Sequence, residues 1–346
     1  MFSEIFKYSS ISTKIRAMYK KLLDEDDYKN LIEKKSVADV AEYLKNRTNY
    51  NELLSKVNVS SIHRGQLESI LIKQMINDYD KIFHHVNGNI KQFIQLLYDK
   101  YEIESLKVVF RILEAGQLTE LDEDSFAFLS KNESLNISKL KESRNSRQLI
   151  ANLKGSIYYD ILKDYENNST FLNLFNIETS LDQYYFSLLT RKKKKLLEGQ
   201  DEKIINDALI VQIDIMNLLW IYRSKKYFTM DREEIFNNMI QNKSKLNRET
   251  IKELVDSKDE KQFNVLIKNT RYKDIFETSN QSSFERNYNR FIYKMHLNNL
   301  RRDNFSIGAI VAYIHLKEFE ISNVISIVEG IRYNIDKENI KQFVVI

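Results

Sequence analysis

Few side chains in this sequence have the type and spacing of a catalytic or metal site. Asp80 and His84 are four residues apart, so on a helix they would share a face, as two ligands of one metal ion often do. His85 would point about 100° away from His84, and no third ligand is evident. We therefore predict no metal site and expect the histidines to lie at the surface.

The residues needed for nucleophilic catalysis or nucleotide binding are also missing. The chain has no cysteine, and no serine sits in a GxSxG turn. Its seven glycines are too far apart to form a GxxxxGK or GxGxxG phosphate loop. The sequence therefore predicts a protein without an active site or a cofactor.

The polar residues that recur do so at fixed spacing. Three stretches contain an acidic residue, a small or amide residue three positions later, and a long charged residue nine positions after the acid. The first two lie one helical turn apart, so they can bond each other or reach a neighbouring module. The three stretches are Glu102, Ser105 and Arg111; Asp214, Asn217 and Arg223; and Glu320, Asn323 and Glu329.

Two further motifs recur three times in the same order. In a Thr/Ser-x-Tyr motif, we expect the hydroxyl to cap a helix end above the packed tyrosine. An apolar–acidic pair opens a long amphipathic helix. The first motif is Thr48 to Tyr50, Ser156 to Tyr158 and Thr270 to Tyr272, and the second is Leu67-Glu68, Leu181-Asp182 and Phe284-Glu285.

These repeats, together with apolar residues at helical spacing, predict the fold class. We expect an all-α protein made of three tandem helical-bundle modules, at residues 1–118, 119–231 and 232–346. The repeat of about 110 residues is longer than that of common helical solenoids, which favours a closed arrangement with approximate threefold symmetry. Strand content should be near nil; residues 341–346 are either a short strand or a frayed helix end.

Composition limits the function classes. The chain has 346 residues, and 53 Lys+Arg against 49 Asp+Glu give +4, too small an excess to indicate nucleic-acid binding. The most apolar stretch, 208–222, contains Gln212, Asp214 and Asn217, so no membrane span is predicted. The N-terminus lacks the apolar core of a signal peptide, which makes the cytoplasm the expected compartment.

The densest run of charge is at residues 191–195, which read RKKKK. Such a run is typical of a solvated helix face. The alternative is docking onto anionic lipid head groups or an acidic partner.

The order of the motifs resembles that of the C subunit of the prokaryotic A-type/V-type rotary ATPases, a relative of the d subunit of the vacuolar enzymes. The resemblance covers essentially the whole chain. It depends on Tyr8 to Met18 followed by Leu22-Leu23, on Asp27-Tyr28 to Tyr50, on Asp214 to Leu218 with Arg223, and on Glu320 to Val324 with Glu329-Gly330.

The resemblance implies a funnel of three similar helical domains and a mechanical role. Proteins of this family are non-catalytic rotor parts that rest on the membrane proteolipid ring and receive the central-stalk subunits D and F. They transmit torque between ATP hydrolysis or synthesis and proton or sodium transport. The chain would then lie on the cytoplasmic face of the cell membrane as a peripheral part of the complex, without binding nucleic acid.

The repeated polar residues are the candidate site residues under this hypothesis. We expect Glu102, Arg111, Asp214, Arg223 and Glu320 to line the funnel or to brace its domains. Glu329 departs from the pattern, because the equivalent positions hold arginine. Two alternatives remain open: a generic helical adaptor unrelated to ATPases, and a helical hydrolase, which the scarcity of convergent His and Glu disfavours.

Overall fold

The computed structural model describes residues 2–118, 124–167, 174–227, 230–276, 281–302 and 305–346. Within these ranges the chain forms helices, turns and loops, and no strand occurs, which confirms the all-helical prediction. The α-helices in the described ranges are α1 (Phe2–Tyr19), α2 (Glu25–Ile32), α3 (Val37–Arg47), α4 (Asn51–Leu54), α5 (Arg64–His85), α6 (Gly88–Glu114), α7 (Ile137–Lys141), α8 (Ser146–Asn152), α9 (Ile157–Asn167), α10 (Leu174–Leu196), α11 (Gly199–Tyr227), α12 (Arg232–Asn238), α13 (Arg248–Asp256), α14 (Glu260–Ile267), α15 (Gln281–Arg302), α16 (Ile307–Arg332) and α17 (Lys337–Phe343).

Three pairs of long helices, α5–α6, α10–α11 and α15–α16, form the body of the protein. Capping side chains define where two of these helices begin: His63 and Gln66 form a capping box at α5, and Ser306 caps α16. The first residues of α6 and α11, Gly88 and Gly199, have φ of 53° and 57°, a left-handed conformation that favours glycine at these tight corners.

Helix α16 is the centre of the packing. It contacts α15, α5, α1, α17, α11, α2 and α3, and most of its residues are buried. One large apolar core extends from Tyr8 on α1 to Val344 near the C-terminus. A second core joins α11 to the short helices α12–α14 and to α15.

Three sets of short helices, α2–α4, α7–α9 and α12–α14, each precede a long pair in the chain. The second and third sets pack on the second helix of the long pair before them: α8 contacts α6, and α12 and α14 contact α11. The first set has no pair before it, and its helices α2 and α3 contact α16 at the other end of the chain. The C-terminal segment is a helix end, because α17 stops at Phe343.

Among the described residues, one helix is long and apolar enough to cross a membrane by length and composition, namely Gly199–Lys226 of α11. Its most apolar window is 61% buried inside the fold, and the helix contains the buried Asp214 and Asn217. These features are those of a core helix in a globular protein.

Candidate functional site

The acidic residues of the repeated polar motif are buried at matching positions on α6, α11 and α16. Glu102, Asp214 and Glu320 are 5%, 3% and 2% exposed. A buried carboxylate is stable only when hydrogen bonds or an opposite charge replace its lost hydration. The partners of these three groups therefore define the candidate site.

Each carboxylate accepts a hydrogen bond from the tyrosine of a Thr/Ser-x-Tyr motif. The hydroxyls of Tyr158 and Tyr272 donate to Glu102 and Asp214, each at 2.7 Å. The carboxylate of Glu320 has no later motif in the chain, and Tyr50 donates to it at 2.7 Å. The third bond therefore joins the first fifty residues to the last helices.

A second donor reaches each carboxylate from the segment of chain that leads to the bonded tyrosine. The amide of Asn132 donates to Glu102 at 2.8 Å, and the backbone N–H of Lys245 donates to Asp214 at 2.8 Å. The backbone N–H of Leu23 donates to Glu320 at 2.5 Å. Asn132, Lys245 and Leu23 lie 26 or 27 residues before the tyrosine that bonds the same carboxylate.

The hydroxyls of the Thr/Ser-x-Tyr motif accept backbone N–H groups close to the motif, as expected of capping side chains. Thr48 and Thr270 accept the backbone N–H of the tyrosine two residues later, at 3.3 Å and 3.2 Å. Thr270 also donates to the carbonyl oxygen of Ile267 at 2.8 Å. Ser156 accepts the N–H of Tyr159 at 3.4 Å, one residue after the motif tyrosine.

Charge compensation differs between the three carboxylates. Lys317 is 1% exposed, and its ammonium donates to Glu320 at 2.5 Å and to the Tyr50 hydroxyl at 2.8 Å. The same ammonium lies 4.4 Å from the centre of the Tyr50 ring. The equivalent positions, three residues before Glu102 and Asp214, hold Asp99 and Val211.

Burial shifts the titration of two acids on α6. Burial raises the pKa of Glu102, although bonds from Asn132 and Tyr158 counteract it. Burial raises the pKa of Asp99 to about 6. Burial and the neighbouring Glu320 raise the pKa of Tyr50, so its hydroxyl stays protonated as a donor.

The amide residues of the polar motif do not bond the acid beside them but the backbone of a later segment. Asn217 accepts the N–H of Ile240 at 2.8 Å and donates to its carbonyl oxygen at 3.0 Å. Asn323 makes the same two bonds with Val345, both at 2.9 Å. Each amide thereby satisfies both backbone groups of a residue that lies outside the helices.

The long charged residues of the motif pair with the first helix of a neighbouring long pair. Arg111 lies 2.6 Å from Glu178 on α10, and Arg223 lies 2.9 Å from Glu285 on α15. Glu329, which departs from the sequence pattern, lies 2.6 Å from Arg64 on α5. The third pair therefore has the same placement with the signs exchanged.

A partly buried ionic cluster between α16 and α6 is not anticipated by the sequence motifs. Glu318 accepts hydrogen bonds from Lys100 at 3.1 Å and from the Tyr101 hydroxyl, and lies 2.6 Å from the His315 ring. Burial alone would raise the pKa of Glu318, but Lys100 and His315 outweigh it and hold that pKa well below its usual range. The signal in the sequence is the HLKEFE segment, which interrupts an otherwise apolar helix with charge.

The expectation of surface histidines is wrong for two of the five. His296 is 1% exposed and His315 9%, and their rings stack with centres 4.1 Å apart. Both line a cavity of about 260 Å³ between α6, α10, α11, α15 and α16. Apolar residues at helical spacing surround both positions in the sequence, which is the pattern of a core histidine.

The pair Asp80 and His84, whose spacing suits a metal ion, makes a local contact instead. The Nδ1–H of His84 donates to the backbone carbonyl oxygen of Asp80 at 2.6 Å. The Asp80 carboxylate pairs with Lys131 at 3.0 Å. In the part of the chain that the structure describes, no group of three His, Asp or Glu residues is placed to hold a metal ion.

Comparison with known proteins finds matches over most of the chain. A family model described as ATP synthase (C/AC39) subunit matches residues 11–343. The C subunit of the A-type ATP synthase of Methanosphaera stadtmanae is 25% identical, over 93% of this chain and 83% of the relative. The proteins of the same name from Methanocaldococcus jannaschii and Methanosarcina acetivorans are 23% and 24% identical, over 100% and 98% of this chain and 88% and 93% of theirs.

Proposed function

The chain belongs to the ATP synthase (C/AC39) subunit family, and from this premise we propose that it is a non-catalytic rotor part of an A-type or V-type ATPase. In this role it joins the central-stalk subunits D and F to the membrane proteolipid ring, on the cytoplasmic face of the membrane. It transmits torque between ATP hydrolysis or synthesis and the transport of protons or sodium ions. The family match over residues 11–343 is the observation that carries the proposal.

A torque-transmitting part has to keep its shape under load, and the buried carboxylates suit that requirement. We propose that Glu102, Asp214 and Glu320 brace the modules 1–118, 119–231 and 232–346 into a closed, funnel-like ring. In support, each carboxylate bonds a segment that is distant in sequence. Buried, hydrogen-bonded carboxylates specify one arrangement of helices, because a shift would leave a buried carboxylate without its hydrogen bonds.

The ion pairs are the outer part of the same proposal. Arg111 and Arg223 pair with the next long helix, and Glu329 pairs with Arg64 across the junction between the ends of the chain. These side chains are partly exposed, so each pair contributes about 1 kcal/mol or less. We propose that these ion pairs determine which long helices contact each other.

Calorimetric titration of the folded chain into the D–F stalk complex tests the proposal. We expect saturable binding near one to one, at concentrations up to about ten micromolar. Absence of binding by a chain that is shown by circular dichroism to be helical would contradict the stalk assignment and favour a helical adaptor with another partner. Co-sedimentation with detergent-solubilised proteolipid ring tests the second interface separately.

A further inference from the structure

The basic run at residues 191–195 is divided by the fold into three parts. Lys193 is 1% exposed, and its ammonium donates to Asn206 on α11. This corrects the prediction of a uniformly solvated face. Lys192 is exposed on another side of α10. Arg191, Lys194 and Lys195 remain together, since their spacing places them on one helix face.

These three cations line an open groove at the surface. The groove has a volume of about 460 Å³. Neutral side chains that can donate hydrogen bonds complete its lining. The full set is Ser187, Thr190, Arg191, Lys194, Lys195 and Gln241.

The cations of the groove have no ion-pair partner among the described residues. Arg191, Lys194 and Lys195 make no ion pair within the described part of the chain, whereas many other exposed cations, such as Lys131 and Arg232, contact a carboxylate. Like charges at these spacings repel each other on a helix. The negative end of the helix dipole offsets the repulsion for cations in the last turn, but Arg191 lies before that turn.

We propose that this groove binds an acidic segment of a partner polypeptide. Three unpaired cations beside hydroxyl and amide donors match side-chain carboxylates, which accept charge-assisted bonds from such groups. The inference goes beyond the rotor role, because it requires neither the stalk nor the proteolipid ring.

The surroundings of the groove favour a polypeptide over a lipid surface. Helices that bind membranes place large apolar side chains beside their basic residues, where they enter the bilayer. Among the described residues, the exposed large apolar side chains lie outside α10.

Fluorescence anisotropy with a labelled polyglutamate peptide and the full chain tests the proposal. We expect the R191E/K194E/K195E variant to lose at least about tenfold in affinity, because three charge-assisted contacts disappear. The neutral R191Q/K194Q/K195Q variant should also lose affinity, which separates loss of contacts from added repulsion. The matched single variants are Lys194→Glu in the groove and Lys192→Glu beside it, which make the same change of charge. Lys194→Glu should weaken binding clearly, whereas Lys192→Glu should alter affinity by less than about twofold.

Four results would overturn the inference. The first is no binding of polyglutamate by the unaltered chain at low salt. The second is equal weakening by Lys192→Glu and Lys194→Glu, which indicates only diffuse attraction. The third is displacement of the peptide by inorganic phosphate at matched concentration, which indicates a simple anion site. The fourth is binding to phosphatidylserine vesicles, lost in R191E/K194E/K195E, by a chain that does not bind the peptide.

Discussion

The Glu320 and Glu102 sites have the same hydrogen-bond plan but opposite means of stabilising a buried acid. Glu320 has a buried cation, Lys317, beside its tyrosine. Glu102 has only neutral donors, and the position equivalent to Lys317 holds another acid, Asp99. The two sites therefore share the hydrogen bond from tyrosine to carboxylate, but only the Glu320 site has a cation that compensates the carboxylate.

This difference in charge compensation matches how far apart in the sequence the bonded segments lie. The segments that meet at Glu102 and Asp214 are linked by a short stretch of chain, whereas those that meet at Glu320 are the two ends. Closing the ends requires ordering segments that no short loop holds together, which costs more conformational entropy. We infer that the ion pair of Lys317 with Glu320 makes this junction the most specific of the three.

The largest effect is expected for Glu320→Gln. The substitution keeps the shape of the side chain but leaves the buried Lys317 ammonium without the opposite charge of Glu320, which costs about 3–5 kcal/mol. The matched control is Glu102→Gln, which retains an acceptor for Tyr158 and Asn132 and should cost less than about 1 kcal/mol. Urea unfolding followed by circular dichroism measures both, and equal losses would contradict the comparison.

Removing one tyrosine hydroxyl should have an intermediate effect. Tyr158→Phe deletes a donor to the buried Glu102 and should lower the free energy of unfolding by about 1–3 kcal/mol. The same measurement on Tyr333→Phe, where the ring is 70% exposed, should show no loss. If Tyr158→Phe leaves the free energy of unfolding unchanged, the Tyr158 hydroxyl does not brace the fold.

A smaller, pH-dependent effect is expected at Asp99. Its pKa of about 6 lies above the unfolded value of 3.8, so ionisation destabilises the fold above about pH 6. That cost fades as the pH falls from about 6 toward 3.8. Asp99→Asn should therefore be more stable than the unaltered chain at pH 7.5, by on the order of 1 kcal/mol after screening by solvent, with a clearly smaller difference at about pH 5.

Urea unfolding at the two pH values measures the effect of Asp99→Asn. A gain that is the same at both would show that the carboxylate of Asp99 is not the source of the difference.

The smallest effect concerns the exchanged ion pair. Arg64→Glu and Glu329→Arg should each cost about 1 kcal/mol or less, and the double variant should recover part of that loss. Raising the salt concentration should reduce the coupling between the two positions. Additive losses at low salt would show that Arg64 and Glu329 do not interact.

The sequence predicts the helical class and the recurring residues, because helical spacing and fixed repeats are local signals. It does not predict which copies meet: Tyr50 finds Glu320, and Arg64 finds Glu329, only through the tertiary arrangement. The burial of Lys193 is within reach of the sequence, since Leu189 and Leu197 lie four residues on either side and form an apolar face.

The most direct test of the bracing role is calorimetric titration of the D–F stalk complex with four forms of the chain, at a temperature where circular dichroism shows all four to be helical. The account predicts that the unaltered chain and Glu102→Gln bind with affinities within about twofold, and that Glu320→Gln binds at least about tenfold more weakly because its ring is no longer closed. Tyr50→Phe, which removes the same bond more gently, should fall between them. Binding of folded Glu320→Gln and Tyr50→Phe as tight as that of the unaltered chain would contradict it.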